Sequence, residues 1–310
     1  MIDLSIVVPV YNAQDCLGEL HARLTAVLTA MGCSYEIVLV DDRSRDASWA
    51  VTSALARRDV HVRAVRLSRN FGQHAAITAG LAECEGDWAV VMDCDLQDPP
   101  EDIPRLFAKA REGFDVVLGR RIHRKHAWLR RATAAGYAAV LARFNRMPFD
   151  GSHGSFSIIS RRVIDAFLRV GDTARHYLHL LGWLGFDTVH VDYEHAPRFA
   201  GRSSYRLRRL LRHAADGIFF QTTVLLLWIV YAGFAVAAGG ALLAVWVVYE
   251  YFASTLLPGW ASLVVLVLML GGAIIVSVGV VGLYVGKIFD EVKDRPLYVI
   301  GRRIVKGMEQ

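Results

Sequence analysis

Trp88-Ala89-Val90-Val91-Met92-Asp93-Cys94-Asp95-Leu96-Gln97-Asp98-Pro99-Pro100 passes from an unbroken apolar run, through a cluster of acids, to a proline pair. The run Trp88–Met92 is of strand length and apolar throughout, which predicts a strand buried on both faces. Asp98-Pro99-Pro100 predicts a helix start, because Asp caps a first turn and proline fits inside it. Ile103, Leu106, Phe107 and Ala110 then recur at helical spacing. A buried strand, a polar loop and an amphipathic helix make one βα unit.

The same unit repeats on either side. Leu4–Val10 predicts a first strand, and Leu17, Leu20, Leu24, Val27, Leu28 and Met31 share one face of the helix after it. Tyr35–Val40, Val62–Leu67 and Val116–Leu118 predict further strands, with helices over about Ala47–Arg57 and over Gln73–Cys84. Repeated βα units predict an α/β domain, a mainly parallel sheet with helices on both faces. Such sheets bind ligands beyond the carboxyl ends of their strands. Tyr11-Asn12, Asp41-Asp42 and Asp93-Cys94-Asp95 stand at those ends. Two carboxylates one residue apart, just past a buried strand, are costly unless a cation or donors offset them. Mg2+ or Mn2+ carrying a diphosphate would do so, although a solvated loop fits the pair alone equally well. No GxGxxG follows the first strand and no GxxxxGK[ST] occurs, which argues against a dinucleotide site and a P-loop.

Composition divides the chain. It has 310 residues, 54% of them hydrophobic and 21% charged, with a mean hydropathy of +0.32. That excludes a disordered chain and is too apolar for an evenly water-covered one. The net charge of +5 is too small to argue for nucleic acid. The apolar residues gather late: 217–249 carries no charge, Glu250 stands alone, and 251–286 is again uncharged. Each stretch exceeds the ~20 residues of a membrane-spanning helix. Transmembrane helices are expected over 221–250 and 259–286, with Pro258-Gly259 as the turn. Arg206, Arg208, Arg209 and Arg212 precede the first, Lys287, Lys293, Arg295, Arg302 and Arg303 follow the second, and the connection has no basic residue. This bias predicts a multi-pass protein with the catalytic domain and both termini cytoplasmic. Leu207, Leu210, Leu211, Ala214, Ala215, Ile218 and Phe219 form an apolar stripe opposite arginines, predicting an amphipathic interface helix over 206–220 on the lipid bilayer. Residues 1–205 are then the catalytic domain and 287–310 a cytoplasmic tail. The N-terminus lacks a signal-peptide pattern. Cys16, Cys33, Cys84 and Cys94 have no metal-type spacing and are expected to be reduced thiols. Histidines 123, 126, 153, 176 and 179 likewise show no metal spacing.

Several motifs resemble a known family. Pro9-Val10-Tyr11-Asn12, Asp41-Asp42-Arg43-Ser44, Asn70-Phe71-Gly72-Gln73 and Asp93-Cys94-Asp95-Leu96-Gln97-Asp98-Pro99-Pro100-Glu101 resemble family 2 glycosyltransferases of the GT-A fold. The similarity is to the polyprenyl-phosphate branch, which includes dolichol-phosphate mannose synthases and bacterial undecaprenyl-phosphate sugar transferases. It continues through Gly154-Ser155-Phe156, Arg198-Phe199-Ala200-Gly201-Arg202-Ser203-Ser204-Tyr205 and Gly286-Lys287-Ile288-Phe289. The resemblance implies that Pro9, Tyr11 and Asp42 hold the base and ribose of a nucleotide-sugar donor. It implies that Asp93 and Asp95 hold Mg2+ or Mn2+ on the diphosphate with Gln97 nearby, and that Ser155 and Tyr205 lie among the substrate contacts. Arg198 and Arg202 would reach phosphates of the donor or of a polyprenyl phosphate acceptor, or face the anionic membrane surface. Arg120 heads a basic cluster that fits a solvated loop and a lid over those phosphates equally well.

Three positions depart from the family pattern: Ala13 replaces a Glu, Ser155 an Asp found in many bacterial members, and Ser204 a Lys. The Asp missing at 155 is a candidate base. A lipid monophosphate with a second pKa near ~6 already supplies a dianionic nucleophile at neutral pH. The resulting expectation is an inverting transfer of a hexose, UDP-glucose or a related UDP-hexose being the first choice of donor and GDP-mannose the alternative. The acceptor is undecaprenyl phosphate at the inner membrane of a bacterium, for envelope glycan modification. A processive synthase is disfavoured, since no Q-x-x-R-W occurs. A non-catalytic scaffold that recruits a flippase is the competitor from another class. Gly239-Gly240, Gly271-Gly272, Gly279 and Gly282 permit close helix packing and a homo-oligomer.

Overall fold

The computed structural model describes residues 2–121, 153–172, 175–196 and 260–309, with scattered positions between 229 and 249. Two compact units are formed, one by Met1–Ser203 together with Arg295–Gln310, the other by Ser204–Asp294. The expected interface helix over 206–220, most of the expected first span, and Arg198, Arg202 and Tyr205 lie outside the described residues.

In the first unit, β1 (Leu4–Val10), β2 (Tyr35–Asp41), β3 (Val62–Leu67) and β4 (Trp88–Val91) alternate with α1 (Leu17–Met31), α2 (Ser48–Arg58) and α3 (Gln73–Glu83). A 3-10 turn at Pro100–Asp102 leads into α4 (Ile103–Ala110), then β5 (Val116–Arg121), β6 (His153–Ser160), α5 (Arg161–Arg169), α6 (Tyr177–Leu184) and β7 (Thr188–Tyr193). The strands form one sheet in the order β7-β5-β6-β4-β1-β2-β3, extended beyond β3 by β8 (Ile300–Val305) and β9 (Met308–Glu309).

The strands of the first four βα units are parallel, as the sequence predicts. The whole sheet is mixed, because β6 runs antiparallel to both β4 and β5, and β8 antiparallel to β3. The residues expected as a cytoplasmic tail thus include two strands of the catalytic sheet. Ile304 pairs with Ala64 and is 1% exposed.

Continuous burial explains the continuous apolar strands. Leu4, Ile6, Val8 and Val10 face one cluster with Leu17, Leu20, Leu24 and Leu28 of α1 and Leu106 of α4. Val7 points the other way, into a cluster with Val38, Val40, Ala76 and Ile77. At Gly80 helix α3 lies so close to the sheet that a Cβ would overlap Val7 Cγ1 and stand 3.1 Å from Val40 Cγ2. The β1–β4 ladder ends at Val7↔Val91, so the amide hydrogen that Pro9 lacks interrupts no bond there.

In the second unit, α7 (Trp260–Val292) has 33 residues, a length of about 50 Å. Among the described residues no helix is long and apolar enough to cross a membrane. Side chains at 261, 262, 264, 265, 268 and 269, among others in this helix, are outside that description. The complete sequence of the same helix has no charged residue from Trp260 to Gly286.

Candidate active site at the carboxyl edge of the sheet

Asp93 and Asp95 follow β4 at the carboxyl edge of the parallel strands, where the βα pattern places a ligand site. The loop turns at Leu96, whose φ of 61 lies in the left-handed region while its side chain is buried beneath the loop. Such a conformation is costly for leucine and persists only where surrounding packing fixes it. The Gln97 amide donates to Asp95 Oδ1 at 3.2 Å, and the Gln97 carbonyl accepts the Ala196 amide at 2.9 Å.

Asp93 is the focus of three elements. Gln73 Nε2, at the start of α3, and Ser155 Oγ, on β6, each donate to Asp93 Oδ1 at 2.8 Å. Among the described residues no donor reaches Oδ2. Burial, with Asp98 and Asp95 nearby, raises the Asp93 carboxyl to about 6. A partly buried pair of carboxylates whose neighbouring cation, Arg121, is engaged by Asp98 and Tyr193 favours a hard divalent ion bound through oxygen. No group of three or more His, Cys, Asp or Glu side chains among the described residues forms a complete cage. The donor set fits Mg2+ or Mn2+ that keeps water and phosphate oxygens in its shell.

Beside it lies a buried polar cluster that sequence reasoning missed. Asp98 is fully buried, and its Oδ1 accepts Tyr193 Oη at 2.5 Å and Arg121 Nη2 at 3.4 Å, with His195 Nδ1 at 3.6 Å. Arg121 Nε also donates to Tyr193 Oη at 3.0 Å. Asp98 therefore serves this cluster; it is Pro99 that precedes the 3-10 turn, with no side-chain cap. Burial and Asp98 push the Tyr193 hydroxyl well above its ordinary value, keeping it a donor. Arg120, named from the sequence, pairs with Asp192 through Nε at 2.5 Å and Nη2 at 3.0 Å. Alternation along β5 explains the difference: side chains of adjacent strand residues point to opposite faces. That alternation was available in the sequence as a signal for Arg121.

The remaining predicted residues occupy the neighbouring loops. Tyr11 is 44% exposed, and Pro9 is buried in β1. Asn12 (φ 52) and Arg43 (φ 57) turn two loops toward each other. The Asn12 amide donates to Ser44 Oγ, Ala13 to Ser48 Oγ, and the Arg45 amide to Asn12 Oδ1, at 2.8 to 3.0 Å. Ala13, the departure from the family pattern, is held through its backbone. Asp42 is 3% exposed, and its two oxygens accept the Phe71 amide at 2.7 Å and the Gly72 amide at 2.8 Å. Burial raises its carboxyl against the opposing effect of those amides. The structure thus gives Asp42 the work of fixing the Phe71-Gly72 turn, where Gly72 has φ 98. All four cysteines are free thiols.

The model of glycosyl transferase family 2 matches residues 5–168, more than half the chain and β1 to β6 apart from Leu4. The chain belongs to glycosyl transferase family 2. Family 2 relatives cover almost its whole length. An uncharacterized glycosyltransferase of Synechocystis sp. (strain ATCC 27184 / PCC 6803 / Kazusa) is 35% identical over 96% of this chain and 95% of its own. The undecaprenyl-phosphate 4-deoxy-4-formamido-L-arabinose transferase of Enterobacter sp. (strain 638) is 37% identical over 98% of this chain and 94% of its own. Among solved structures, glucosyl-3-phosphoglycerate synthase of Mycobacterium tuberculosis, in complex with Mn2+, UDP and phosphoglyceric acid, superposes with a TM-score of 0.51. It is 17% identical and covers 70% of this chain and 76% of its own, a likeness of fold. This family 2 protein is a glycosyltransferase with a GT-A-like α/β domain.

Proposed function

We propose that this glycosyltransferase moves a hexose from a UDP-linked donor to undecaprenyl phosphate, with inversion, at the cytoplasmic face of a bacterial inner membrane. The observation that carries this reading is topological. The chain leaves the described sheet at Ala196, hydrogen-bonded to Gln97 beside the acid pair. It rejoins at Ile300, paired with Leu67 at the carboxyl end of β3. Ala196 and Ile300 thus both lie at the edge of the sheet that carries Asp93 and Asp95. A segment that leaves and rejoins one sheet crosses a bilayer an even number of times. Two apolar stretches, 217–249 and 251–286, match the length of two spans, and positive charge flanks only their outer ends. A relative that acts on undecaprenyl phosphate along almost the same length supports a lipid acceptor.

Asp93 and Asp95 would hold a divalent cation, which when bound neutralises charge on the departing diphosphate. Asp42 holds the turn before α3, and Tyr11 supplies an aromatic surface for the base. Arg121, rather than Arg120, is the cation that faces the acids and is suited to a phosphate. Ser155 is spent on Asp93 and accepts no proton from an acceptor. None is needed, because a phosphate monoester near neutral pH is largely dianionic. The protein's task is alignment of the phosphate oxygen behind the anomeric carbon. Small residues along the spans support assembly with further copies, and a flippase is the natural recipient of the lipid-linked sugar.

The test is a panel of nucleotide sugars given to the purified full-length protein with Mn2+ and undecaprenyl phosphate, the lipid product being identified by mass. UDP-glucose, UDP-galactose, a UDP-linked 4-deoxy-4-formamido-L-arabinose and GDP-mannose should be included. One UDP-sugar is expected to give a lipid-linked monosaccharide. Turnover only with GDP-mannose overturns the donor, and no lipid product from any of them overturns the reading.

A further inference from the structure

Gln73 and Ser155 meet on the same oxygen of Asp93, at 2.8 Å each, although they come from opposite sides of β4 in the sequence and from different elements. Gln73 is the first residue of α3 and is exposed, so its hydrogen bond adds little to the stability of the fold. Its place is nevertheless fixed, since the Asp42 carboxylate holds the two amides before it. Ser155 sits on β6, whose Ser157 pairs with Val91 of β4. Two neutral donors on Oδ1 stop the carboxylate from rotating and leave its full negative charge in place. With Oδ1 accepting twice, Oδ2 is the oxygen that would approach a cation.

We propose that Gln73 and Ser155 are positioning residues that lock Asp93 with Oδ2 turned to the divalent ion, and so set the affinity of the site for metal. This rests on the reading of Asp93 as a metal ligand, and extends it to two residues that would act on the ion through Asp93. Outer partners of this kind typically change metal affinity 10- to 100-fold when removed.

The experiment is Mn2+ titration of full-length protein followed by electron paramagnetic resonance of the free ion. It is run with Mn2+ alone and with inorganic pyrophosphate, which supplies phosphate oxygens without a base or sugar. Gln73→Met keeps length without a donor, and Ser155→Ala removes the hydroxyl. Each is expected to weaken Mn2+ binding roughly 10-fold, and the pair more than either. Ser155→Thr, which restores a hydroxyl, should stay within about 2-fold of wild type, and melting temperatures without metal should change little. If Asp93→Ala loses Mn2+ while Gln73→Met and Ser155→Ala bind within about 2-fold of wild type, the positioning role is wrong and the metal site stands. If Asp93→Ala itself binds Mn2+ as wild type does, the metal reading falls and takes this inference with it.

Discussion

Gly154 leaves room for the guanidinium of Arg121: a Cβ at 154 would overlap Nη2 and lie within 2.8 Å of Cζ. The glycine that opens Gly154-Ser155-Phe156 is thus tied to a cation on the neighbouring strand. Gly154→Ala should push Arg121 away from Asp98 and Tyr193. Because a side-chain end moves more easily than backbone, the protein should still fold. Loss of a charge-assisted hydrogen bond, about 1.5–3 kcal/mol, predicts a fall of roughly 10- to 100-fold in kcat/KM. Steady-state kinetics beside a thermal melt checks this, and unchanged kcat/KM would remove Arg121 from the site.

Tyr193 is the closest donor to the buried Asp98 carboxylate. Tyr193→Phe keeps the ring packed against Phe156, at 5.2 Å between centroids, and removes only the hydroxyl. The carboxylate would keep Arg121 at 3.4 Å as its partner. A loss of about 2 kcal/mol is expected, read from denaturant unfolding. A change below about 0.5 kcal/mol would mean that Asp98 is satisfied in another way.

Asp93 gives a pH signature. Its folded carboxyl is raised from 3.8 to about 6, so the metal-free folded state holds its proton more tightly than the unfolded chain does. The associated stability is fully present below about pH 4 and is lost as pH rises through about 6. Asp93→Asn removes that loss. It should stabilise metal-free protein at pH 7.5 by about 2 kcal/mol, after allowance for partial exposure, and give no gain at pH 4. Transfer should fall at least about 1000-fold, as expected on losing a metal ligand that stabilises developing charge. Melts at the two pH values, with and without Mn2+, decide the point: Mn2+ should raise the wild-type melting temperature alone.

Ile304 tests whether the last strands belong to the catalytic sheet. Its side chain is in the core cluster with Ala64 and Ala56. Ile304→Ala should cost about 2–4 kcal/mol, a core effect from a position that reads as a tail. A cost under about 0.5 kcal/mol, the scale of a surface change, would detach β8 from the fold.

The first four strands were legible because burial on both faces leaves no other pattern available to them. Val62–Leu67 is found with the predicted ends. The place of the acid pair was legible for the same reason, since it directly follows such a strand. What escaped was whatever depends on contact between distant segments. Gln73 and Ser155 lie 20 and 62 residues from Asp93, and no spacing rule links them. Arg120 was preferred to Arg121 because a cluster of arginines conceals strand alternation. Asp98 was read as a cap since its local sequence suits one, yet a carboxylate buried beside Arg121 and Tyr193 gains more from them. The final strands were hidden by Arg302 and Arg303, which read as membrane-flanking charge while Ile300 and Ile304 held the sheet edge.

The pairing of β3 with β8 also sets an order of events during synthesis. Val65 pairs with Arg303, so one side of β3 stays unfilled until Arg303 has been made. By then the two apolar stretches between them have already been made. A chain that failed to bring its last strands back would leave β3 as an open edge. An open edge is a template for aggregation. Closure of that edge therefore waits on the last strands, whatever path the residues between them take.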